Sequence, residues 1–213
     1  MADDLIDRLS ADLRPTPRRA LHWRLFGWAG LGVLASAILM LTWLGPRPDL
    51  MTATGNMMFW TKFAYTTIFA ILGALAALNL ARPAGSMWRQ AIGLAVLVAL
   101  TGIAGVIQML VMGPDHMRRL IMGSTALVCP FYIVALAAPI YAAIVFAMRR
   151  AAPTDPTLAG FSAGLFAGGA AVWVYAFHCT ESGMPFITIW YTAGVLASAA
   201  IGAVIGRWAL RWR

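Results

Sequence analysis

Residues 25–44 read LFGWAGLGVLASAILMLTWL, an apolar run that contains no charged side chain. About 20 apolar residues are enough for an α-helix to cross the hydrocarbon core of a bilayer. Arginines precede the run, as they would precede the core of a secretory signal. However, the run is too long for that role, and SAILMLTWLG offers no clear small-residue cleavage site. We therefore predict a retained transmembrane span.

Five further runs of this kind follow along the chain, at approximately residues 59–80, 91–112, 128–148, 158–177 and 186–205. Of the 213 residues, 61% are hydrophobic and only 11% are charged, whereas soluble domains carry about 25% charged residues. The connections are too short to hold a second folded domain. We predict an all-α integral membrane protein, in which residues 24–213 form a bundle of six transmembrane helices. A cytoplasmic segment, residues 1–23, precedes the bundle.

The positions of arginine and lysine predict the orientation of the bundle. A net charge of +8 would suggest nucleic-acid binding in a soluble protein, but here the basic residues lie at the ends of apolar runs, where they anchor spans and contact membrane lipid. Four of the 16 fall on one side, namely Arg47, Lys62, Arg118 and Arg119. The other 12 fall on the side of the termini, so the positive-inside rule places both termini in the cytoplasm. We expect no direct contact with nucleic acid.

The first 15 residues, MADDLIDRLSADLRP, are the polar exception to this pattern. Their apolar positions share one face of a short amphipathic helix that Pro15 ends. These positions are Leu5, Ile6, Leu9 and Leu13. The acidic residues make the helix locally negative and are Asp3, Asp4, Asp7 and Asp12. A helix this short is marginal alone in water, so we predict a docking segment that folds against a partner, with a solvated tail as the alternative.

The two cysteines lie at similar depth, at the end of the bundle opposite to the termini. Cys129 lies near the start of the fourth run, followed by Pro130, and Cys179 follows the fifth run. On the non-cytoplasmic side of a bacterial membrane the environment is oxidising. Three interpretations stay open: a structural disulfide, a redox- or metal-responsive pair, and two unrelated buried thiols. A metal could also recruit the nearby side chains of His178, His116 and Glu181, although spacing alone does not establish such a site.

Other features favour a regulator over a transporter or an enzyme. Lys62 lies near a run end and is expected to snorkel, so no ionisable residue is expected near the midplane. We find no catalytic constellation and expect no enzyme and no cofactor beyond a transition or heavy metal ion acting as a signal. The alternatives are a membrane thiol-disulfide oxidoreductase and a small transporter. Gly160, Gly164 and Gly168 form a small-residue stripe, which we expect to pack within the bundle rather than between two copies.

Several segments together resemble a known family along the whole chain. They are the N-terminal DDLIDRLSADLRP, a first span ending in WLGPRPDL, and one cysteine each in LVCP and FHCTESGMP. With six spans in so short a chain, they resemble the NrsF family of bacterial membrane anti-sigma factors. Members negatively regulate an extracytoplasmic-function sigma factor of the sigma-F kind.

The resemblance implies a function for each part of the chain. The protein would hold its sigma factor inactive at the inner membrane and release it under heavy-metal or oxidative stress. Cys129 and Cys179 would be the sensing residues, and residues Asp3 to Leu13 would contact the sigma factor. An acidic helix suits a basic, DNA-binding surface on that partner. We further expect the cysteines to alter how spans four and five pack, with the glycine stripe as their sliding surface.

Overall fold

A computed structural model describes residues 20–82, 84–149, 151 and 153–211 of the chain. Six of its helices are long and apolar enough to cross a membrane, which confirms the predicted number. We number them as spans 1 to 6: His22–Leu44, Met57–Leu80, Trp88–Met112, Cys129–Met148, Pro156–Tyr175 and Met184–Ala209. The ends agree with the sequence-based expectation to about one helical turn. The docking segment and its sigma-contacting residues lie outside the described residues.

Two shorter helices interrupt the connections, and two spans contain a wider helical turn. The short helices are Leu50–Ala53, between spans 1 and 2, and Pro114–Met122, between spans 3 and 4. Span 1 is an α-helix over Ala20–Leu39 that ends in a π-helical turn, Met40–Leu44. Span 6 begins with Met184–Phe186, passes through a π-helical turn at Ile187–Tyr191 and continues as an α-helix over Thr192–Ala209. The sequence pattern indicated none of these features.

Span 5 lies at the centre of the bundle. It packs against spans 6, 2 and 4, while span 1 packs against span 4 and span 3 lies at the periphery. Span 5 is also the most buried helix, because its many glycines and alanines let neighbouring backbones approach closely. Asp155 begins it, since its carboxylate accepts hydrogen bonds from the N–H groups of Thr157 and Leu158.

The glycine stripe of span 5 packs within the bundle, as expected, but against span 6. A Cβ atom on Gly160 would lie 2.6 Å from the Cα of Gly206, and one on Gly164 would lie 2.8 Å from the Cα of Ala199. These are backbone atoms, so the two helices touch with no room for a side chain between them. The expectation that spans 4 and 5 slide along this stripe was therefore wrong about the partner helix.

The connections sort into two ends because the spans alternate in direction. Residues 45–56, 113–128 and 176–183 share one end, which we call the cysteine end. At the other end, which we call the terminal end, lie residues 81–82, 84–87, 149, 151 and 153–155, the start of span 1 and the finish of span 6. That the cysteine end faces away from the cytoplasm stays a prediction.

Candidate functional site

Both cysteines are buried free thiols at the cysteine end. Cys129 begins span 4, and its N–H donates to the carbonyl oxygen of Thr125. Cys179 follows the end of span 5, and its N–H donates to the carbonyl oxygen of Tyr175. Their side chains are 0% and 3% exposed and belong to one hydrophobic cluster. The structure thus brings the predicted pair into one buried environment without a disulfide.

Two buried tyrosines complete this environment. Cys129 lies beside Tyr175 and Cys179 beside Tyr191, and the two tyrosine rings are 6.0 Å apart. Within the described part of the chain, neither hydroxyl has a partner in hydrogen-bonding geometry. Because each thiol lies beside one of these hydroxyls, a change at sulfur would alter the polar surroundings of both tyrosines.

Lys62 is buried, which corrects the expectation that it snorkels. Its side chain is only 1% exposed, and its Nζ donates a 2.8 Å hydrogen bond to the carbonyl oxygen of Cys179. It makes no ion pair among the residues that the structure describes. The lysine lies about one and a half turns inside span 2, on the face that meets residues 177–179, so its ammonium points inward rather than toward water.

Arg47 donates to the same carbonyl oxygen from the connection between spans 1 and 2. Its Nη1 lies 3.3 Å from the Cys179 oxygen, and two of its other nitrogens each donate a 2.7 Å hydrogen bond to the Asp49 carboxylate. Those hydrogen bonds hold the pKa of Asp49 below its usual value and raise the pKa of Arg47. The guanidinium also lies 6.0 Å from the ring centroid of Phe59, within range of a cation–π contact.

Two further hydrogen bonds join residues 45–47 to residues 177–179. The N–H of Arg47 donates to the carbonyl oxygen of Phe177 at 3.0 Å, and Nδ1 of His178 lies 2.8 Å from the carbonyl oxygen of Gly45. We call residues 177–179 the cysteine turn. It is therefore held by one connection and by span 2 as well as by its own helix.

The remaining predicted metal ligands are engaged elsewhere. Oε1 of Glu181 accepts hydrogen bonds from both the N–H and the hydroxyl of Ser124, each at 2.7 Å. His116 lies on the short helix Pro114–Met122, with Nδ1 3.0 Å from the carbonyl oxygen of Met112. Among the described residues, no three His, Cys, Asp or Glu side chains gather as a metal site. Metal binding by the thiol pair alone stays a prediction.

The sequence-based reasoning missed Arg47, Lys62, Tyr175 and Tyr191 as members of this site. One signal was present, since Lys62 is the only lysine among the 16 basic residues and stands within an otherwise apolar helix. An ionisable residue inside a span is costly, and its presence favours a functional site. The tyrosines gave no such signal, because aromatic residues near span ends are ordinary.

Span 6 gives the site a physical connection to the opposite end of the bundle. Tyr191 ends the π-helical turn Ile187–Tyr191, and the α-helix that follows carries the residues facing the glycine stripe. π-Helical turns are often found at functional sites. A rearrangement around Tyr191 would thus act on the helix that packs most closely against span 5.

Comparisons with known proteins cover essentially the whole chain. Residues 9–212 match the NrsF family, described as negative regulator of sigma F. The anti-sigma-F factor NrsF of Caulobacter vibrioides is 42% identical over 212 residues, which cover 99% of each chain. The probable anti-sigma-F factor NrsF of Azospira oryzae is 39% identical over 217 aligned positions, again covering 99% of each. Both relatives are named as regulators rather than enzymes. No solved structure matches.

Proposed function

The chain belongs to the NrsF family of negative regulators of sigma F, and we propose that it sequesters an extracytoplasmic-function sigma factor at the bacterial inner membrane. The family match across the chain carries this proposal, together with six helices of membrane-spanning length. Binding a soluble sigma factor to the membrane keeps it from the nucleoid, so no catalytic step is required.

We place the sigma-binding surface on the N-terminal docking segment. An amphipathic helix with one apolar face can lie in a groove of its partner, and its acidic face complements a basic DNA-binding surface. A helix that folds only on binding is also easily released, because the entropic cost of ordering it lowers the affinity and is recovered on dissociation.

We assign stress sensing to the thiols of Cys129 and Cys179. The observation that supports this is that both thiols are free and buried and lie beside two tyrosines whose rings are 6.0 Å apart. With a thiophilic divalent metal, the two S–H groups would lose two protons as two metal–sulfur bonds form. With an oxidant, the two thiols would lose two protons and two electrons, which the oxidant accepts, and an S–S bond would form. Either product changes the packing around Tyr175 and Tyr191.

The signal must then cross the bundle to reach the sigma factor. The site is about 30 Å from the terminal end, the thickness of the hydrocarbon core. Moving the partner from 99% bound to 99% free requires the two states to differ by about 5.5 kcal/mol in sigma affinity. One bond supplies only part of that, so we expect partial release, transmitted through span 6.

A double variant tests the sensing role. In Cys129→Ser, Cys179→Ser cells, sigma-dependent transcription should stay at the uninduced level when cadmium or an oxidant is added, while repression in unstressed cells persists. Each single variant separates the two chemistries, because one remaining thiol can bind metal weakly but cannot close the disulfide. Normal induction of the double variant would assign the cysteines a structural role.

A further inference from the structure

Among the hydrogen bonds that hold the cysteine turn, two come from buried cations that share one acceptor, the carbonyl oxygen of Cys179. Lys62 donates to the Cys179 oxygen at 2.8 Å and Arg47 at 3.3 Å. Lys62 is 1% exposed and Arg47 is 7% exposed. Arg47 has Asp49 as its ion-pair partner, whereas Lys62 has no carboxylate partner in the part of the chain that the structure describes.

A buried ammonium is an expensive way to satisfy one carbonyl group. Removing a charge from water costs several kcal/mol unless other groups compensate, and an uncharged donor would hold a carbonyl oxygen without that cost. A charged donor, however, forms hydrogen bonds roughly twice as strong as a neutral one. Burial of the Lys62 ammonium therefore lowers the stability of the bundle, but it gives the carbonyl oxygen of Cys179 a stronger hydrogen bond than a neutral donor would.

The position of that hold matters for the thiol pair. Cys129 is fixed because it begins a long helix that Pro130 helps to start. Cys179 lies in the turn after span 5, where its N–H is bonded to the helix but its carbonyl oxygen accepts from side chains of other elements. The Lys62 and Arg47 hydrogen bonds to this carbonyl oxygen therefore add to the bonds that keep the Cys179 thiol beside Tyr191.

We propose that Lys62 is a positioning residue for the thiol pair, holding the Cys179 carbonyl group so that the Cys179 thiol stays within reach of Cys129. This inference rests on the proposed sensing role of the cysteines, but it concerns the geometry that precedes any signal. Lys62 touches neither sulfur in this role and acts through the backbone of the turn. Arg47 supports the same oxygen from the other side, with a longer hydrogen bond.

Two rates on the full-length protein in its membrane test the proposal. The first is closure of the Cys129–Cys179 disulfide by diamide, in which the two thiol hydrogens pass to the N=N bond to give a hydrazine. The second is alkylation of each cysteine by N-ethylmaleimide, measured in the Cys129→Ser and Cys179→Ser backgrounds. Neither rate involves the sigma factor, so failure of the sensing hypothesis in cells would leave this test intact.

Lys62→Met should move the two rates in opposite directions. A hydrogen bond to a charged group contributes about 1.5–3 kcal/mol, which corresponds to roughly tenfold or more. We expect disulfide closure to slow by about that factor and alkylation of Cys179 to quicken by a similar one, with Cys129 nearly unchanged. Lys62→Arg keeps a charged donor, so its rates of disulfide closure and Cys179 alkylation should lie close to the wild-type values. Arg118→Met, which removes an exposed cation from the same end, is the matched control.

Unfolding would raise alkylation of both cysteines equally, so it is distinguishable from loss of the anchor. If Lys62→Met does not fold, Arg47→Met tests the proposal instead. For Arg47→Met we expect smaller changes of the same sign in the rates of disulfide closure and Cys179 alkylation. The proposal would be overturned if folded Lys62→Met showed wild-type rates of both disulfide closure and Cys179 alkylation. If only Arg47→Met folds, wild-type values of both rates in that variant would overturn it.

Discussion

At the scale of single residues, the hydropathy of the sequence does not predict which way the Lys62 side chain at the cysteine end points. Sequence position indicated how deep Lys62 lies in span 2 but not toward which side of the helix its ammonium points. Depth alone favoured snorkelling, whereas the structure directs the side chain to the carbonyl oxygen of Cys179. The similar depth of the two cysteines was predictable from their positions at the same end of spans 4 and 5, whereas the buried tyrosines that lie beside them were not.

The Arg47–Asp49 ion pair should make the cysteine end sensitive to acid. The pKa of Asp49 is lowered in the folded protein, so the pair stabilises the fold above the ordinary carboxyl pKa and is lost as the pH falls through the lowered folded value. Asp49→Asn should therefore lower the thermal unfolding midpoint in detergent at neutral pH. The difference from the wild-type protein should vanish in strong acid.

Asp115→Asn provides the control for this measurement, since Asp115 is an exposed acid at the same end. It should leave the midpoint unchanged at both pH values. A loss of stability in Asp49→Asn that persists at acid pH would mean that the side chain acts by packing rather than by charge.

At the scale of helices, the contact between spans 5 and 6 is the most demanding in the bundle. The small-residue stripe was visible in the sequence, but its partner was not, because spans 4 and 6 are both apolar and adjacent. What selects span 6 is a second set of small residues at matching positions, Gly202 and Gly206, opposite Gly160. The partner helix of a small-residue stripe can therefore be assigned only when the facing stripe on the other helix is known.

Adding one methyl group at this contact should destabilise the protein. A Cβ at position 164 would lie 2.8 Å from the Cα of Ala199, so one helix backbone must move. Overpacking of this kind costs about 1–3 kcal/mol. We expect Gly164→Ala to lower the thermal unfolding midpoint and, if span 6 carries the signal, to change basal sigma-dependent transcription as well.

Gly30→Ala is the matched substitution at an open position of span 1, where an added Cβ would meet no atom within 4 Å. It should leave the midpoint unchanged or raise it, because alanine favours helix more than glycine does. Equal effects of the two substitutions would show that helix propensity, not the close contact, determines the result.

At the scale of the whole molecule, number and length of spans were predictable while their arrangement was not. A helix that crosses a bilayer must be apolar on its lipid face as well as on its protein face, so composition does not separate the two. Span 3 has a higher mean hydropathy than the central span 5, yet span 3 lies at the periphery. The central place of span 5 follows from its small side chains, a steric property that hydropathy does not measure.

The whole protein should lose its partner through a single change in the docking segment. Leu9 is predicted to share a helix face with Leu5 and Leu13, and burying one leucine contributes about 1.5–3 kcal/mol. Because about 1.4 kcal/mol corresponds to a factor of ten in affinity, and the aspartate adds a buried charge, Leu9→Asp should weaken sigma binding by well over tenfold. Co-purification of the sigma factor with membranes that contain the full-length variant measures this loss.

The matched control adds the same charge on the opposite side of the helix. Ala11 lies two residues further on, which is about 200° around the axis, so Ala11→Asp leaves the apolar face intact. It should retain the sigma factor, and the membrane bundle of both variants should unfold at the wild-type temperature. If Leu9→Asp retains the partner as well as Ala11→Asp does, the contact must lie on the connections of the terminal end, and the docking segment is then a solvated tail.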